Sequence, residues 1–309
     1  MRHLTQRLQW RHLRLLSAID ESGQLSMAAE RLAITQPAAS RMLAEIEGMV
    51  EQPLFVRKPK GMVPTPIGQV LIRHAVSLLR GLTATANEVN AFAAGKTGSV
   101  RVGSVTGAAV AYVVPSVQKL RADTQGADIT IAVAPSEELI QGLHNGDYDF
   151  VLARVPPPHD RRQFEFMQGR AETVEFLARC DHPLLSLRKP TLKDFRGYAW
   201  VIQGVGTPMR DAVERAYIEH SIPLPDEIIN TTSLLVMIAS LQSSDALSPI
   251  SSEVAELLAG TTTGDMTTLR FPAPITIQPY HLIQKKQQTL SPLAVRLRDL
   301  VIEALRVGP

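Results

Sequence analysis

The sequence predicts an α/β protein in three parts: a small N-terminal winged helix-turn-helix, a long linker helix and a two-lobed α/β C-terminal region. Three observations support this prediction. Two short helical segments joined by a tight turn precede a β-hairpin, one apolar seam then continues at helical spacing, and from Ser99 onward short β-rich runs alternate with amphipathic helices. The 309 residues are enough for two or three domains.

The composition is that of an ordinary soluble protein, because 45% of the residues are hydrophobic and 20% are charged. A single cysteine excludes a disulfide framework and a multi-cysteine zinc site and is typical of a reducing compartment, so we expect a cytoplasmic protein. The basic start of the chain leads into no apolar core, and no apolar run is long enough for a bilayer helix. Neither a signal peptide nor a membrane span is therefore expected.

The net charge of +2 is unevenly distributed along the chain. Residues 1–60 carry nine Lys and Arg against six Asp and Glu, a balance of +3. Residues 61–95 carry +1 and residues 96–309 carry −2. The basic excess is thus N-terminal, but a difference of this size gains weight only if a motif explains it.

Three helices are predicted in the N-terminal part. Apolar residues at helical spacing over 8–19 indicate the first helix, which Gly23 ends. The hydroxyl of Ser26 is expected to cap the second helix. The third helix follows Thr35, a second cap candidate, with Pro37 in its first turn, and reaches about Val50.

The third helix has an apolar face and a polar face. Ala39, either Met42 or Leu43, and Ile46 are expected to point inward. The outward residues are Gln36, Pro37, Ser40 and Arg41. Because Gln and Arg can make bidentate hydrogen bonds to base edges and Ser can contact a base or a phosphate, this helix is suited to a DNA major groove.

Residues 53–65 are predicted to form a strand, a basic turn and a second strand, which we call the wing. Its cations are Arg57, Lys58 and Lys60, and their expected partner is the phosphate backbone beside the groove. The alternative is a structural cap in which these three cations are simply solvated.

Residues 8–68 resemble the winged helix-turn-helix of LysR-type transcriptional regulators. The matching segments are AAERL at 28–32, QPAASR at 36–41, IE at 46–47, PLFVR at 53–57 and TPIG at 65–68. Two departures are Gln24, where the family usually has Ser, and Glu51, where it usually has Gly after the recognition helix. The candidate DNA-contacting residues are Ser26, Gln36, Pro37, Ser40, Arg41, Arg57, Lys58, Lys60 and Thr65.

A long helix is predicted beyond Gly68, and Gly95 ends it. Its apolar seam contains Ile67, Leu71, His74, Leu78, Leu82, Thr85, Val89 and Phe92. A seam of this length needs a partner, either the chain's own C-terminal region or a second subunit. The resemblance implies the second, a linker helix that pairs two subunits.

The C-terminal region is predicted to be a mainly parallel sheet wrapped by helices, because strands and helices alternate. In the first lobe the expected strands are 100–103, 129–133 and 149–153. One helix is expected to end at Leu120, and a second is expected at 137–143. Three prolines at 156–158 mark the passage to a second lobe. There the expected strands are 173–179, 198–202, 228–229 and 246–247, and the expected helices are 208–219 and 233–241. A return strand at 274–283 and a final helix at 292–305 follow.

Ligands of such sheets bind outside the carboxyl ends of the strands. The resemblance implies an effector-binding domain here, similar to two-lobed periplasmic solute-binding proteins. The candidate effector-binding residues are Ser104, Thr106, Arg154, Gln203, Gly206, Thr207 and Thr232. Arg154 is suited to clamp a carboxylate, and the helix starts after Ser104 and Gln203 offer hydroxyls and backbone amides to an anionic group. Both favour a small organic acid over a sugar or another polar metabolite. The structural alternatives are helix caps for the hydroxyls and a surface ion pair for Arg154.

No enzyme motif is present in the sequence, so catalytic residues, metals and cofactors are not expected. Cys180 lies near His182, but a buried structural cysteine is the expected interpretation. The Gly204-Val205-Gly206 segment does not contain the third glycine of a dinucleotide-binding loop.

The sequence therefore predicts an effector-responsive transcriptional regulator and not an enzyme. Its expected domains are 1–65 for DNA binding, 66–95 for dimerisation and 96–309 for effector binding, with lobe 1 at about 96–165 and 271–309 and lobe 2 at about 166–270. Double-stranded DNA, a small effector and a second subunit are the expected partners, the resemblance implies a homotetramer, and RNA polymerase is a further candidate. The competing class is a solute-binding or enzymatic protein whose N-terminal helices are only structural.

Overall fold

A computed structural model describes residues 7–59, 61–93, 98–259, 265–269, 271 and 274–308. The chain divides into two compact units. The first contains the N-terminal part through Ser99 together with Gln141–Tyr148. The second contains Val100–Ile140 and the chain from Asp149 onward.

Three helices form the start of the first unit. They are α1 (Trp10–Ser22), α2 (Leu25–Arg31) and α3 (Gln36–Val50). Their core contains Leu16, Ile19, Ala28, Ala39 and Ile46, among other apolar residues. The small side chains of α2 allow the neighbouring helices to pack closely, as the apolar spacing predicts.

The predicted cap at Ser26 is wrong. Helix α2 begins one residue earlier, at Leu25, so that Gln24 is the N-cap residue and Ser26 lies exposed in the first turn. The Gln24 side chain makes no capping hydrogen bond. A glutamine is longer than the Ser, Thr, Asp and Asn side chains that reach the free amides, which explains why this helix start lacks a side-chain cap.

The wing is a two-stranded antiparallel hairpin of β1 (Phe55–Lys58) and β2 (Gly61–Pro64). Its turn lies against the end of α1, because the amide of Met62 donates a hydrogen bond of 2.7 Å to the carbonyl oxygen of Gly23. Gly61 has a φ of +133°, and a Cβ there would lie only 2.3 Å from that same oxygen. Glycine is therefore needed at this position both for its backbone angle and for its size.

Helix α4 (Pro66–Ala93) follows the wing directly. Ile72 and Ala75 on one face belong to the core of the first unit. On the predicted seam the side chains of Ile67, Leu78, Leu82 and Val89 are all more than 40% exposed in the single chain, and His74 is exposed as well. The side chain of Phe92 lies outside the described residues.

The turn between α3 and the wing contains a strained residue. Glu51 ends α3 in the left-handed conformation, with φ +59° and ψ +25°. It is the position at which the family pattern has glycine, and the turn keeps the glycine-like geometry although a side chain is present.

Replacing Glu51 by glycine is therefore expected to stabilise the protein by about 1 kcal/mol, because the left-handed conformation costs an L-residue about that much. The measurement is the midpoint of thermal unfolding. Glu51→Ala is the matched control, since it removes the same charge but keeps a Cβ. An equal gain in both variants would assign the effect to charge and contradict the conformational explanation.

The second unit alternates strands and helices. Its strands are β3 (Ser99–Ser104), β4 (Asp128–Val133), β5 (Phe150–Ala153), β6 (Phe164–Arg179), β7 (Trp200–Ile202), β8 (Ile228–Asn230), β9 (Ser248–Ser251), β10 (Met266–Leu269) and β11 (Ile275–Lys285). Helix α5 runs from Thr106 to Asp123 with a π-helical stretch at Ala109–Val113. The other helices are α6 (Ser136–Asn145), whose residues from Gln141 onward belong to the first unit, α7 (Leu192–Arg196), α8 (Pro208–Glu219), α9 (Leu234–Gln242), α10 (Ser252–Ala259) and α11 (Pro292–Val307).

The main sheet has the strand order β10-β6-β11-β5-β3-β4, with β9 also paired to β6. The expectation of a mainly parallel sheet is wrong. Strands β3 and β5 are parallel, but β6 pairs antiparallel with β9, β10 and β11, and β11 pairs antiparallel with β5. The reason is that the long strands β6 and β11 run past each other in opposite directions.

Two main apolar cores lie along these two strands. One surrounds β3, β5, α5 and α11 and contains Tyr280 and Leu282 from β11. The other contains Phe176 from β6, Trp200, and Ile277 from the start of β11. The two cores define two lobes of the second unit, and strand β11 contributes residues to both.

Several boundaries differ from the predictions. Strand β6 begins at Phe164 and not at Thr173. The expected strand at 246–247 is only an isolated bridge between Leu247 and Trp200, and the regular strand is β9. Helix α10 and strand β10 had not been predicted. None of the helices in the described parts of the chain is both long and apolar enough to cross a bilayer.

Candidate functional site

Helix α3 presents a polar face to solvent. Gln36, Pro37, Ser40 and Arg41 are all exposed, while the opposite face lies in the core. The structure resolves the open choice on the buried face, because Leu43 is 7% exposed and Met42 is only partly buried.

The side chain of Arg41 is available for a ligand. Among the described residues, none forms a hydrogen bond or an ion pair with its guanidinium. A guanidinium without a protein partner can donate two hydrogen bonds to the O6 and N7 atoms of a guanine. The exposed side-chain amide of Gln36 can form hydrogen bonds with an adenine. The exposed start of α3 thus has the chemistry of a helix that reads base edges.

The wing adds positive charge beside α3. Arg57 and Lys58 on β1 are exposed, and neither has an ion-pair partner in the parts of the chain that the structure describes. Lys60 lies outside the described residues. Thr65 has a structural role, because its hydroxyl donates to the carbonyl of Pro53 at 2.9 Å and accepts from the amide of Gly68 at 3.0 Å.

Glu47 links α3 to the wing, a role that the sequence analysis did not assign. Its Oε1 atom accepts a hydrogen bond of 2.7 Å from the amide of Leu54 and a longer one of 3.4 Å from the amide of Phe55. This carboxylate therefore fixes the start of β1 relative to the recognition helix.

A cavity of about 400 Å³ lies in the second unit, between its two lobes. It is lined by the residues that follow the carboxyl ends of β3, β5 and β7, by the start of α9 and by strand β9. Among the predicted effector-binding residues, Thr106, Arg154, Gln203, Thr207 and Thr232 line it.

Two of the predicted residues do not line the cavity. The hydroxyl of Ser104 is fully buried and donates 2.9 Å to the carbonyl of Val105, so it cannot point toward a ligand. Gly206 lies in the exposed turn before α8, where its φ of +83° requires a residue without a side chain.

Arg154 is not free to clamp a carboxylate, and the ion pair that it forms is not at the surface. Its Nη2 atom donates to Oε2 of Glu172, and its Nε atom donates 2.7 Å to the carbonyl of Gln278. The side chain of Arg154 is 14% exposed and that of Glu172 is 7% exposed. Its guanidinium also lies 5.7 Å from the ring centroid of Tyr280.

Burial raises the pKa of the Glu172 carboxyl above its usual range, and the neighbouring Arg154 guanidinium opposes that shift. The charged side chains that line the cavity are Arg154, Glu172 and the exposed Glu138. Because the only arginine is paired, these side chains provide no net positive charge for an anion.

Most hydroxyl groups of the cavity already bind the backbone. Thr207 donates to Gly204, Ser233 caps α9, and Ser248 donates to Val201. The hydroxyls of Thr106, Thr232 and Ser251 form no hydrogen bond with any residue that the structure describes. Glu172 and Ser251 had been missed, since neither follows a strand that the sequence pattern predicted.

Cys180 is exposed, so the expectation of a buried cysteine is wrong. It lies in the turn just after β6, where the chain leaves the sheet. His182 is buried, its Nδ1 accepts from the amide of Leu184, and its Nε2 lies 3.0 Å from the carbonyl oxygen of Asp245. Both ring nitrogens are thus engaged away from the thiol. Within the described residues, no three His, Cys, Asp or Glu side chains are grouped to hold a metal ion.

Two family models match the chain. A model described as the LysR substrate binding domain matches residues 93–306. A model described as the bacterial regulatory helix-turn-helix protein, lysR family, matches residues 10–69.

Curated relatives are similar over most of the chain. The HTH-type transcriptional regulator GbpR of Rhizobium radiobacter is 36% identical over 81% of this chain and 83% of its own length. The GbpR of Azospirillum brasilense is 33% identical over 94% of this chain and 84% of its own length.

Solved structures with a similar fold include CbnR, a LysR family transcriptional regulator. The superposition has a TM-score of 0.65 at 19% sequence identity, and it covers 96% of this chain and 99% of the CbnR chain. Full-length CbnR complexed with its target DNA gives a TM-score of 0.66 at 19% identity, with 96% and 100% covered. At such identities the likeness concerns the fold alone.

Proposed function

The chain belongs to the LysR family of transcriptional regulators, and from this premise we propose that residues 1–65 bind operator DNA, residues 66–95 join two subunits and residues 96–309 bind a small effector. Members of the family are DNA-binding regulators and not enzymes. Because a regulator of this kind acts on chromosomal DNA, we propose that the protein works in the cytoplasm of a bacterial cell.

One observation carries the DNA-binding proposal: the exposed start of α3 holds Arg41, which has no partner among the described residues, together with Gln36 and Ser40. Arg57 and Lys58 lie on the adjoining wing, so base readout and phosphate contact have separate groups. Ser26, exposed on α2, stays in the predicted contact set. Thr65 is better explained as a structural residue.

The Arg41→Ala variant is expected to bind its operator with about 1–3 kcal/mol less free energy and with reduced discrimination between operator and random duplex. Lys58→Ala is expected to weaken binding to every sequence and to lower the slope of log affinity against log salt by about 1. The measurement is a salt titration of binding to operator and random DNA.

Arg121→Ala is the control for these two variants, because it removes an exposed cation from α5 in the second unit. It is expected to leave both the affinity and the salt slope unchanged. An Arg41→Ala protein with full operator specificity would contradict the assignment of α3 as the base-reading helix.

A second subunit is proposed to cover the seam of α4. The exposed apolar side chains of Leu78, Leu82 and Val89 lie at helical spacing, and burying them is favourable only if a matching surface exists. A dimer also suits DNA with two half-sites. The homotetramer and a contact with RNA polymerase stay predictions from the family resemblance.

The effector class needs revision in view of the cavity. The expectation of an organic acid depended on a free Arg154 and on the backbone amides at the helix starts, and Glu172 occupies the Arg154 guanidinium. The lining instead offers free hydroxyls and a carboxylate that accepts hydrogen bonds. An uncharged molecule with several hydroxyl groups, such as a sugar or a polyol, fits these groups better than an organic acid.

A thermal-shift screen tests the effector class. We expect that some of the common aldohexoses and aldopentoses raise the melting temperature, while the aldonic acid of the same sugar does not. A ligand at a hundred times its dissociation constant adds about 2.7 kcal/mol to stability, which such a screen resolves. A response to the acids and not to the sugars would restore the organic-acid hypothesis.

A further inference from the structure

Two oxygen atoms in the cavity lining have no hydrogen-bond partner among the described residues. Ser251 is 5% exposed, and its Oγ atom is fully buried without a partner in the described parts of the chain. Glu172 is also 5% exposed; its Oε2 atom binds Arg154, whereas no described residue donates a hydrogen bond to its Oε1 atom. Buried polar atoms in native proteins usually have a partner, so the unpartnered Oγ of Ser251 in a cavity lining points to a ligand.

Both oxygens lie beside the position that a side chain of Gly107, at the start of α5, would occupy, and we call this position the gap. An ideal Cβ at Gly107 would lie 2.6 Å from Oγ of Ser251 and 2.7 Å from Oε1 of Glu172. Any side chain at this position would therefore push against both atoms. Glycine places no side chain between these two atoms.

The chemistry of the two atoms defines what they can bind. The Glu172 carboxylate forms an ion pair with Arg154, and in that pair its Oε1 atom accepts hydrogen bonds, while the Ser251 hydroxyl can donate one. A ligand hydroxyl can donate to the first and accept from the second. A ligand carboxylate cannot donate, and it would bring a second negative charge next to Glu172.

We propose that Glu172 Oε1, Ser251 Oγ and the gap beside Gly107 form a subsite that binds one hydroxyl group of a sugar or polyol effector. This inference rests on the proposed function of the cavity as the effector site. It assigns the subsite to three residues that come from different elements, namely α5, β6 and β9.

The test uses the full-length protein and the sugar panel described above, with affinities from isothermal titration calorimetry. Ser251→Ala is expected to weaken binding of the responding aldose about tenfold, the effect of one lost hydrogen bond. The melting temperature without sugar is expected to stay the same or rise, because the variant removes a buried hydroxyl that has no partner. A purely structural serine would instead lower that temperature.

Gly107→Ala fills the gap and is expected to weaken binding at least as much as Ser251→Ala. Its own melting temperature without sugar reports whether it folds. The deoxy analogues of the aldose provide a matched control, because the analogue that lacks the bound hydroxyl should bind wild type and Ser251→Ala equally well.

Thr232→Trp separates this subsite from the cavity as a whole, since a bulky side chain in the lining obstructs the ligand wherever it binds in the cavity. If Thr232→Trp abolishes binding while Ser251→Ala and Gly107→Ala bind normally, the effector site stands and the subsite is wrong. If all three variants bind normally, both proposals are wrong. Silence of the whole sugar panel, or a crystal structure with only water between Ser251 and Glu172, would also overturn the subsite.

Discussion

Replacing Gly68 by alanine is expected to destabilise the first unit by about 3 kcal/mol and to abolish operator binding. A Cβ at Gly68 would lie 2.0 Å from the carbonyl oxygen of Leu54 and 3.0 Å from its carbon. Both are backbone atoms, so no side-chain rotation relieves the clash. The same oxygen accepts a hydrogen bond of 2.9 Å from the amide of Thr65, which any displacement would break.

Gly81→Ala is the matched control for this prediction. Gly81 lies on the same helix, α4, and a Cβ there would meet nothing within 4 Å. Alanine is the better helix former, so this variant is expected to gain up to about 1 kcal/mol. Thermal unfolding and operator binding are measured for both variants. A similar loss in both would show that α4 tolerates no alanine and would contradict the close contact as the cause.

Replacing Glu172 by alanine is expected to cost about 3–5 kcal/mol of stability, because it leaves the guanidinium of Arg154 buried without a counter-charge. Removing both charges should cost much less, since a buried ion pair gains little over apolar residues of similar volume. The double variant Glu172→Leu with Arg154→Met is therefore expected to unfold closer to wild type than Glu172→Ala. Urea denaturation of the three proteins measures the difference.

The exposed pair of Asp160 and Arg162 is the control for this experiment. Its guanidinium side chain is 88% exposed, and water already solvates both partners. Arg162→Ala, which removes the guanidinium but keeps the hydrogen bond from the amide of residue 162 to Asp160, is expected to leave stability unchanged within measurement. A double variant at Arg154 and Glu172 that is as unstable as Glu172→Ala would show that lost packing, and not the unpaired charge, dominates.

Much of the first unit could be predicted from the sequence because its structure is local. Gly23, Pro37 and the apolar spacing of α3 mark helix ends and faces within a few residues of one another. The exposed residues Gln36, Ser40 and Arg41 lie where the pattern predicts them. The start of α2 was misplaced by one residue, because the capping preference of Ser26 suggested a later start than the backbone adopts.

The second unit was harder to predict because its sheet depends on distant pairings. Strand β6 extends nine residues before the predicted start at Thr173, through a stretch containing Gly169 and Arg170 that has no apolar alternation. Neither the antiparallel pairing of β6 with β11 nor the strand at Ser248–Ser251 is encoded in local periodicity.

The position of the cavity was predicted from the sequence, but the chemistry of its lining was not. Arg154 was expected there because it follows a strand end, and it does line the cavity. Its partner Glu172 is 18 residues away along the chain, on the part of β6 that was not predicted. Without that pairing the arginine looks like an anion clamp. The pairing is what shifts the expected effector from an acid to an uncharged molecule.

The anchoring of the wing has a consequence for the thermodynamics of DNA binding. A loop that becomes ordered only on contact with DNA loses conformational entropy at that moment, about 1–2 kcal/mol for each residue that is fixed. Here the hydrogen bond from Met62 to Gly23 and the close approach at Gly61 hold the hairpin before DNA arrives. Arg57 and Lys58 can therefore reach phosphates without that entropic loss, and more of each contact appears as affinity.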